Sequence, residues 1–202
     1  MKKILAIVVI SVLFAAPFAV AGENPAVDQM IAKVTQDLNA DPGGSDKIKA
    51  FAVEKLVPFC TNKVFVEAVK SQNAKNISLE EIKKIDKEWM EAEEELPIMT
   101  ALLDNPCGKE LQALGQAEMA VSKGFVFDNQ GATVGSFGIP NDYWQGDEGK
   151  YTRTVKDHSI EIGPIKFDKA ENTQLQHLAF PVIDEDGTVV GGFLIGIFLD
   201  KL

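Results

Sequence analysis

The spacing of apolar residues changes between about Gly115 and Val121, and this change limits the possible folds more than any other feature of the sequence. Before it, apolar residues recur every three or four positions, which is the period of an amphipathic helix. After it they recur with a period of two, which is typical of strands with one buried face. The order predicts an α+β chain with helices over about 24–115 and an antiparallel sheet of about five strands over about 121–200.

Local signals divide the first half into helices. The Pro- and Gly-containing residues 41–44 end a first helix, and Ser45 is placed to cap a second that runs to residue 58. A third is predicted over residues 64–70. Ser78-Leu79-Glu80-Glu81 has the pattern of a capping box and predicts the start of a fourth helix. The acidic run that follows it, within residues 91–95, is interpreted as a solvated face and not as a metal site.

Two β-hairpins are predicted in the second half. Residues 128–131 and 184–187 each begin with Asp, end with Gly and are flanked by apolar runs, which is typical of a hairpin turn. Between the hairpins, residues 143–155 predict a loop and a short helix. Residues 159–167 predict an additional strand, interrupted by Pro164.

The N-terminal segment is typical of a secretory signal peptide. Two lysines precede an apolar stretch, residues 4–20, that ends in the small-residue triplet Ala19-Val20-Ala21. Cleavage after Ala21 would leave residues 22–202 as a single periplasmic domain that does not insert into the membrane. An uncleaved N-terminal anchor is the alternative.

The net charge of −10, from 30 acidic and 20 basic residues, argues against nucleic acid and anionic lipid surfaces as partners. Because export permits disulfides, Cys60 and Cys107 are expected to be joined, and two buried free thiols are the alternative. No metal or other cofactor is expected, since neither His158 nor His177 has a cysteine or a second histidine at ligand spacing.

The residues most suited to ligand chemistry lie in and just after residues 141–148. Two aromatic side chains offer flat faces, two carboxylates can pair with an ammonium group, and a lysine and an arginine can pair with a carboxylate. The alternative is structural: acidic residues favour the first turn of a helix, and Trp144 could fill a core. The candidate ligand contacts are Asp142, Tyr143, Trp144, Asp147, Lys150 and Arg153.

The same region carries a resemblance to a known family. Residues 141–150, N-D-Y-W-Q-G-D-E-G-K, closely resemble the T-S-D-Y-W-Q-G-D-E-A-K-W signature of extracytoplasmic Cache sensor domains, also called PDC domains, in their single-module form. Residues 79–89 are similar to the family's helix that ends in D-x-x-W, and further similarity lies in residues 127–131 and 181–196. The resemblance extends from about residue 45 to the end of the chain.

The resemblance implies a PAS-like antiparallel sheet with an N-terminal helical layer and a small molecule held between the sheet and the loops that cross it. By position it places Asp142, Tyr143 and Trp144 in the loop near the pocket and Lys150 on the helix beyond. It implies a sensor that binds an amino acid, amine or short carboxylate, and a membrane receptor or transporter is the expected partner. No enzymatic activity is expected, because the sequence has no G-x-S-x-G motif that would expose a nucleophile. The alternative is a ligand-free periplasmic protein-interaction module that uses the same fold.

Overall fold

The structure is a computed structural model that describes residues 24–169 and 172–202, so the predicted signal peptide, residues 1–21, lies outside the described residues. Within the described part, six α-helices precede the sheet. Their bounds are α1 (Pro25–Ala40), α2 (Asp46–Phe51), α3 (Lys63–Asn73), α4 (Leu79–Glu91), α5 (Pro97–Asp104) and α6 (Pro106–Ala117). Helix α2 continues as a π-helical turn (Ala52–Leu56) and a 3-10 turn (Val57–Thr61). No helix of the described residues combines the length and the apolar character needed to cross a membrane.

Side-chain caps begin helices where the sequence predicts them. Ser45 Oγ accepts a hydrogen bond from the amide of Ile48 (3.4 Å), and Ser78 Oγ accepts one from the amide of Glu81 (3.2 Å). These oxygens satisfy amide groups that have no partner within the first turn of a helix. The helices predicted to begin at these residues are therefore confirmed.

The second half forms one antiparallel sheet. Its strands are β1 (Val121–Phe127), β2 (Thr133–Phe137), β3 (Glu161–Ile162), β4 (Lys166–Asp168), β5 (Thr173–Ile183) and β6 (Val189–Phe198). They lie in the order β2-β1-β6-β5-β3, and β4 also pairs with β5. A short helix, α7 (Gly149–Tyr151), continues as a π-helical turn (Thr152–Lys156) between the hairpins. The predicted α+β architecture, with helices first and an antiparallel sheet after them, is confirmed.

The two predicted hairpin turns have the same construction. Asp128 Oδ1 accepts hydrogen bonds from the amides of Gln130 (2.8 Å) and Ala132 (2.9 Å). Asp184 Oδ1 accepts them from the amides two and four residues further on, at 3.0 and 2.9 Å. Each turn ends in a glycine with positive φ, +90° at Gly131 and +82° at Gly187, a region that other residues rarely adopt. The same D-x-x-G pattern therefore forms the same type of turn in both hairpins.

The sheet has two different faces. One packs against the helical layer around a large core in which the ring of Phe193 lies 5.6 Å from that of Phe65 on α3 and 5.4 Å from that of Phe180. The opposite face carries a smaller apolar cluster, formed by Phe125, Phe127, Ala179 and Leu194 of the sheet with Tyr151 and Val155 of the short helix and its π-helical turn. Part of this second face is left uncovered, and the candidate site lies there.

The predicted disulfide is wrong, because Cys60 and Cys107 are both free and buried. Cys107, in the first turn of α6, faces the sheet: a Cβ on Gly135 of β2 would lie 2.8 Å from its Sγ. Cys60 is fully buried in the main core. Burial raises the pKa of the Cys107 thiol to about 12 and that of Cys60 far above its usual range. Each cysteine acts as a small apolar side chain.

Candidate ligand-binding site

A cavity of about 190 Å³ opens on the sheet face opposite the helical layer. Phe125, His177 and Leu194, from β1, β5 and β6, line it from the sheet, and the loop between β2 and α7 lines it from the other side. A second compartment of about 90 Å³ adjoins it near β3 and shares His177 and Leu194 in its lining. The cavity is thus enclosed by the very loop that the sequence singles out.

Lys150, a predicted ligand contact, lines both compartments. Its side chain is only 13% exposed, and its Nζ lies 2.5 Å from Glu148 Oε2. The same Nζ lies 5.4 Å from the centroid of the Phe125 ring. A charged ammonium group is therefore held at the cavity wall by one carboxylate and one aromatic face, with few competing water molecules.

Asp142, a second predicted contact, lines the cavity together with Gln145. Gln145 is fully buried, and its Nε2 donates to Asp142 Oδ1 (2.5 Å) and to the carbonyl oxygen of Asp142 (3.0 Å). Burial raises the pKa of the Asp142 carboxyl above its usual range. Gln145 Oε1 is buried and has no hydrogen-bond partner among the described residues. A buried acceptor without a partner is costly, so it marks a place where a ligand donor would be stabilising.

Two further polar groups, His177 and Glu161, line the adjoining compartment. Nε2 of His177 and Oε2 of Glu161 are buried and have no partner within the described parts of the chain. Burial, reinforced by three nearby lysines, lowers the pKa of His177 to about 4, so the imidazole is neutral at pH 7. Burial also raises the pKa of the Glu161 carboxyl. The exposed Lys123 and Lys166 complete the charged lining.

Sequence reasoning missed the lining groups that lie far apart in the chain. Lys123, Glu161, Lys166 and His177 lie on or beside separate strands, and only the sheet brings them to one face. Gln145, in contrast, belongs to the Y-W-Q-G part of the motif. The position of Gln145 within this motif was therefore the sequence signal that could have identified it as a lining residue.

The structure places Tyr143 and Trp144 away from this cavity. Tyr143 is buried on the helical side, 5.8 Å from the Trp89 ring on α4, and burial raises its pKa to about 12. Trp144 Nε1 donates to the carbonyl oxygen of Gln130 (2.8 Å), and the ammonium group of Lys83 lies 4.5 Å from its ring centroid. Both side chains pack the loop against α4 and the first hairpin turn.

The last two predicted contacts, Asp147 and Arg153, are exposed and do not line the cavity. Arg153 Nη1 lies 3.4 Å from Oδ2 of Asp157, the residue that follows the π-helical turn. Of the six predicted residues, the structure therefore brings together only Asp142 and Lys150 at the cavity.

Helix α4 holds the backbone of the cavity loop. Asp86 Oδ1 accepts hydrogen bonds from the amides of both Tyr143 and Trp144, at 2.9 Å each. Trp89 Nε1 donates to the carbonyl oxygen of Pro140 (3.1 Å). The D-x-x-W residues on α4 thus fix the loop on either side of Asp142.

No family model and no curated protein matches this chain. Solved structures that are similar to it include the sensor domain of the Vibrio cholerae histidine kinase DctB, with 10% identity, a TM-score of 0.45 and coverage of 88% of this chain and 55% of that one. Another is the ligand-binding domain of the Pseudomonas aeruginosa PAO1 amino acid chemoreceptor PctC in complex with GABA, with 9% identity, a TM-score of 0.34 and coverage of 68% and 57%. A third is the sensory domain of the Campylobacter jejuni chemoreceptor Tlp3 with isoleucine bound, with 14% identity, a TM-score of 0.37 and coverage of 91% and 64%.

These three matched structures are sensor or ligand-binding domains. The chain spans between 55% and 64% of the length of these three structures.

Proposed function

We propose that this chain is an exported sensor module of the Cache type, without catalytic activity, that binds a small metabolite in the sheet-face cavity and reports its occupancy to a membrane receptor or transporter. The observation that carries the proposal is that the cavity is lined both by the fully buried Gln145, whose Oε1 has no partner among the described residues, and by Lys150, whose side chain is only 13% exposed. Buried polar groups of this kind are normally paired, so a ligand that completes them gains affinity.

The lining favours a ligand that carries charge. Three lysines supply donors for a carboxylate, namely Lys123, Lys150 and Lys166. Asp142, Gln145 Oε1 and Glu161 supply acceptors for an ammonium group. The volume of about 190 Å³ is smaller than the roughly 300 to 1,000 Å³ of sites for drug-sized ligands. An amino acid, an amine or a short carboxylate is therefore the ligand class that we favour.

Export and domain organisation form part of the same proposal. They rest on the lysines, the apolar stretch and the small-residue triplet of residues 1–21. Cleavage after residue 21 would leave residues 22–202 as a single periplasmic domain. The mass of protein purified from the periplasm tests this directly: cleavage after residue 21 is expected, and retention of residues 1–21 would support the anchor.

Thermal denaturation of the exported protein with amino acids, amines and short carboxylates tests the binding site. A compound at a hundredfold excess over its dissociation constant stabilises the folded state by about 2.7 kcal/mol, which raises the melting temperature. We expect a saturable rise that is lost in Asp142→Ala and Lys150→Met. Asp147→Asn is the matched control, because this exposed acid lies in the same loop and does not line the cavity.

Trp144→Phe distinguishes packing from ligand contact. Since Trp144 bonds Gln130 and does not line the cavity, the variant should melt at a lower temperature and keep the ligand-induced rise. A panel without any shift, together with native mass spectra that show no co-purified small molecule, would contradict the proposal and favour the ligand-free interaction module.

A further inference from the structure

Helix α4 is connected to the cavity through two consecutive residues of one loop. Asp142 lines the cavity, and the amides of the next two residues, Tyr143 and Trp144, both donate to Asp86 on α4. Two residues before Asp142, the carbonyl oxygen of Pro140 accepts from Trp89 on the same helix. A displacement of Asp142 therefore acts on hydrogen bonds that end on α4.

Helix α4 belongs to a packing unit of its own. Its buried residues Ile82 and Trp89 pack with Tyr143 of the loop and with Met99 and Leu102 of α5, in a cluster separate from the main core. An open cleft of about 640 Å³ lies between this unit and α3. Its walls include Ala68 and Gln72 of α3 on one side, and Ile85 of α4 and Ile98 of α5 on the other. Close packing against α3 therefore does not hold α4 in place along this cleft.

Asp86 is the buried acceptor that joins helix α4 to the loop backbone. Asp86 is only 9% exposed, and its Oδ1 accepts hydrogen bonds from both amides. Charge-assisted hydrogen bonds are stronger than neutral ones, so the helix and the loop backbone move together more readily than they separate. A cavity, a hydrogen-bonded loop and a helix outside the main core thus form one continuous path.

We propose that Asp86 is a positioning residue that couples occupancy of the cavity to the position of helix α4. The inference rests on the proposed function in treating the cavity as the binding site. Binding at Asp142 shifts the following two amides, and Asp86 transmits the shift to α4. Such coupling requires that the ligand interact differently with the two positions of the loop.

A tethered probe tests the coupling without knowledge of the natural ligand. Asn141→Cys places a thiol at the cavity lining, where 2-sulfonatoethyl methanethiosulfonate can attach a small anionic group as a mixed disulfide. The native Cys60 and Cys107 are buried with raised pKa values, so they react slowly. Asp147→Cys, labelled in the same way, is the control because residue 147 is exposed and lies outside the cavity lining.

Amide hydrogen exchange and tryptophan emission report the result. The chain has two tryptophans, Trp89 and Trp144, and both lie on the proposed path and outside the cavity lining. With the label at position 141 we expect exchange at Tyr143, Trp144 and α4 to change by about tenfold, and the emission to shift, whereas the label at 147 changes neither.

The variants of Asp86 separate coupling from simple support of the fold. In Asp86→Ala the label at position 141 should no longer affect α4, and in Asp86→Asn, whose amide oxygen still accepts hydrogen bonds, the effect should return.

Equal effects on α4 from the labels at 141 and 147, or an undiminished effect in Asp86→Ala, would overturn the proposal. If Asp86→Ala does not fold, as judged by circular dichroism, the comparison of the two labels with Asp86 in place decides. A flat metabolite panel alongside intact coupling would refute the proposed ligand and leave the path standing.

Discussion

Three side chains that line the cavity and its adjoining compartment each bury a polar atom that has no hydrogen-bond partner among the described residues. These side chains are Gln145, Glu161 and His177, and Lys150 places an ammonium group beside them. Unpaired buried groups lower the stability of a folded protein. Their concentration around one cavity is consistent with a site arranged for a ligand and not for maximal stability.

His177 should make stability depend on pH between 6.5 and about 4. Its pKa is about 4 in the folded protein against 6.5 for an unperturbed histidine, so the unfolded chain binds a proton first as the pH falls through this window. The contribution is fully present above pH 6.5 and is lost as the pH approaches 4. Urea unfolding at pH 7 and at pH 5 measures this contribution. Between the two pH values, His177→Gln should lose less unfolding free energy than the natural protein does.

The second histidine provides the control for that measurement. His158 is exposed and has a φ of +51°, which asparagine tolerates, so His158→Asn should keep the natural pH dependence. If His177→Gln loses as much stability between the two pH values as the natural chain does, His177 is not the group responsible.

Among the elements, the turn after β1 and the cavity loop depend on each other. Gly131 of the turn packs on Gly146 of the loop, and Gln145 N donates to the carbonyl oxygen of Gly131 (2.8 Å). Asp86 and Trp89 of α4 hold the loop from the other side. The loop is therefore placed by a turn and a helix that are distant from each other in the sequence.

Gly131→Ala should destabilise the protein more than Gly138→Ala. Both glycines have positive φ, +90° and +82°, so each substitution carries a backbone cost of roughly 1–2 kcal/mol. At Gly131 the new Cβ would also lie 2.6 Å from the backbone nitrogen of Gly146, whereas at Gly138 the nearest atom is Lys123 Cβ at 3.3 Å. Chemical denaturation of both variants measures the difference, and an equal or larger loss for Gly138→Ala would contradict this account of the loop.

The whole molecule divides its functions between the two faces of the sheet. The helical face carries the large core, and the other carries a small apolar cluster beside a charged cavity. Stability and the candidate site can therefore be altered separately.

Truncation of two phenylalanines, one in the main core and one on an outer strand, should lower the unfolding free energy by different amounts. Phe193 is fully buried between Phe65 and Phe180, so Phe193→Ala should lower the unfolding free energy by about 3–5 kcal/mol. Phe167 on β4 is 60% exposed, so Phe167→Ala should change it by no more than about 0.5 kcal/mol. Thermal denaturation distinguishes the two, and comparable losses would mean that the outer strand contributes to the core.

The parts of the fold that the sequence predicts are those encoded by neighbouring residues. Ser45 and Ser78 act within one helical turn, and Asp128 and Asp184 act within their own hairpins, so each is recognisable from a short stretch. The interrupted edge strand around Pro164 is predicted for the same reason. The Cys60–Cys107 pairing was wrong because it depends on where two distant thiols point, which local pattern does not contain.

By itself, the sequence determined the order of helices and strands, the turns, and the loop at which the site is formed, because periodicity, capping and turn chemistry act over a few residues. Only the tertiary structure decided which side of that loop faces the cavity. The hydrogen bonds from Asp86 and Trp89 of α4 hold the loop so that Asp142 lines the cavity while Tyr143 packs beside α4. The remaining lining groups, on or beside β1, β3, β4 and β5, meet because the strands pair in an order that differs from their order in the chain.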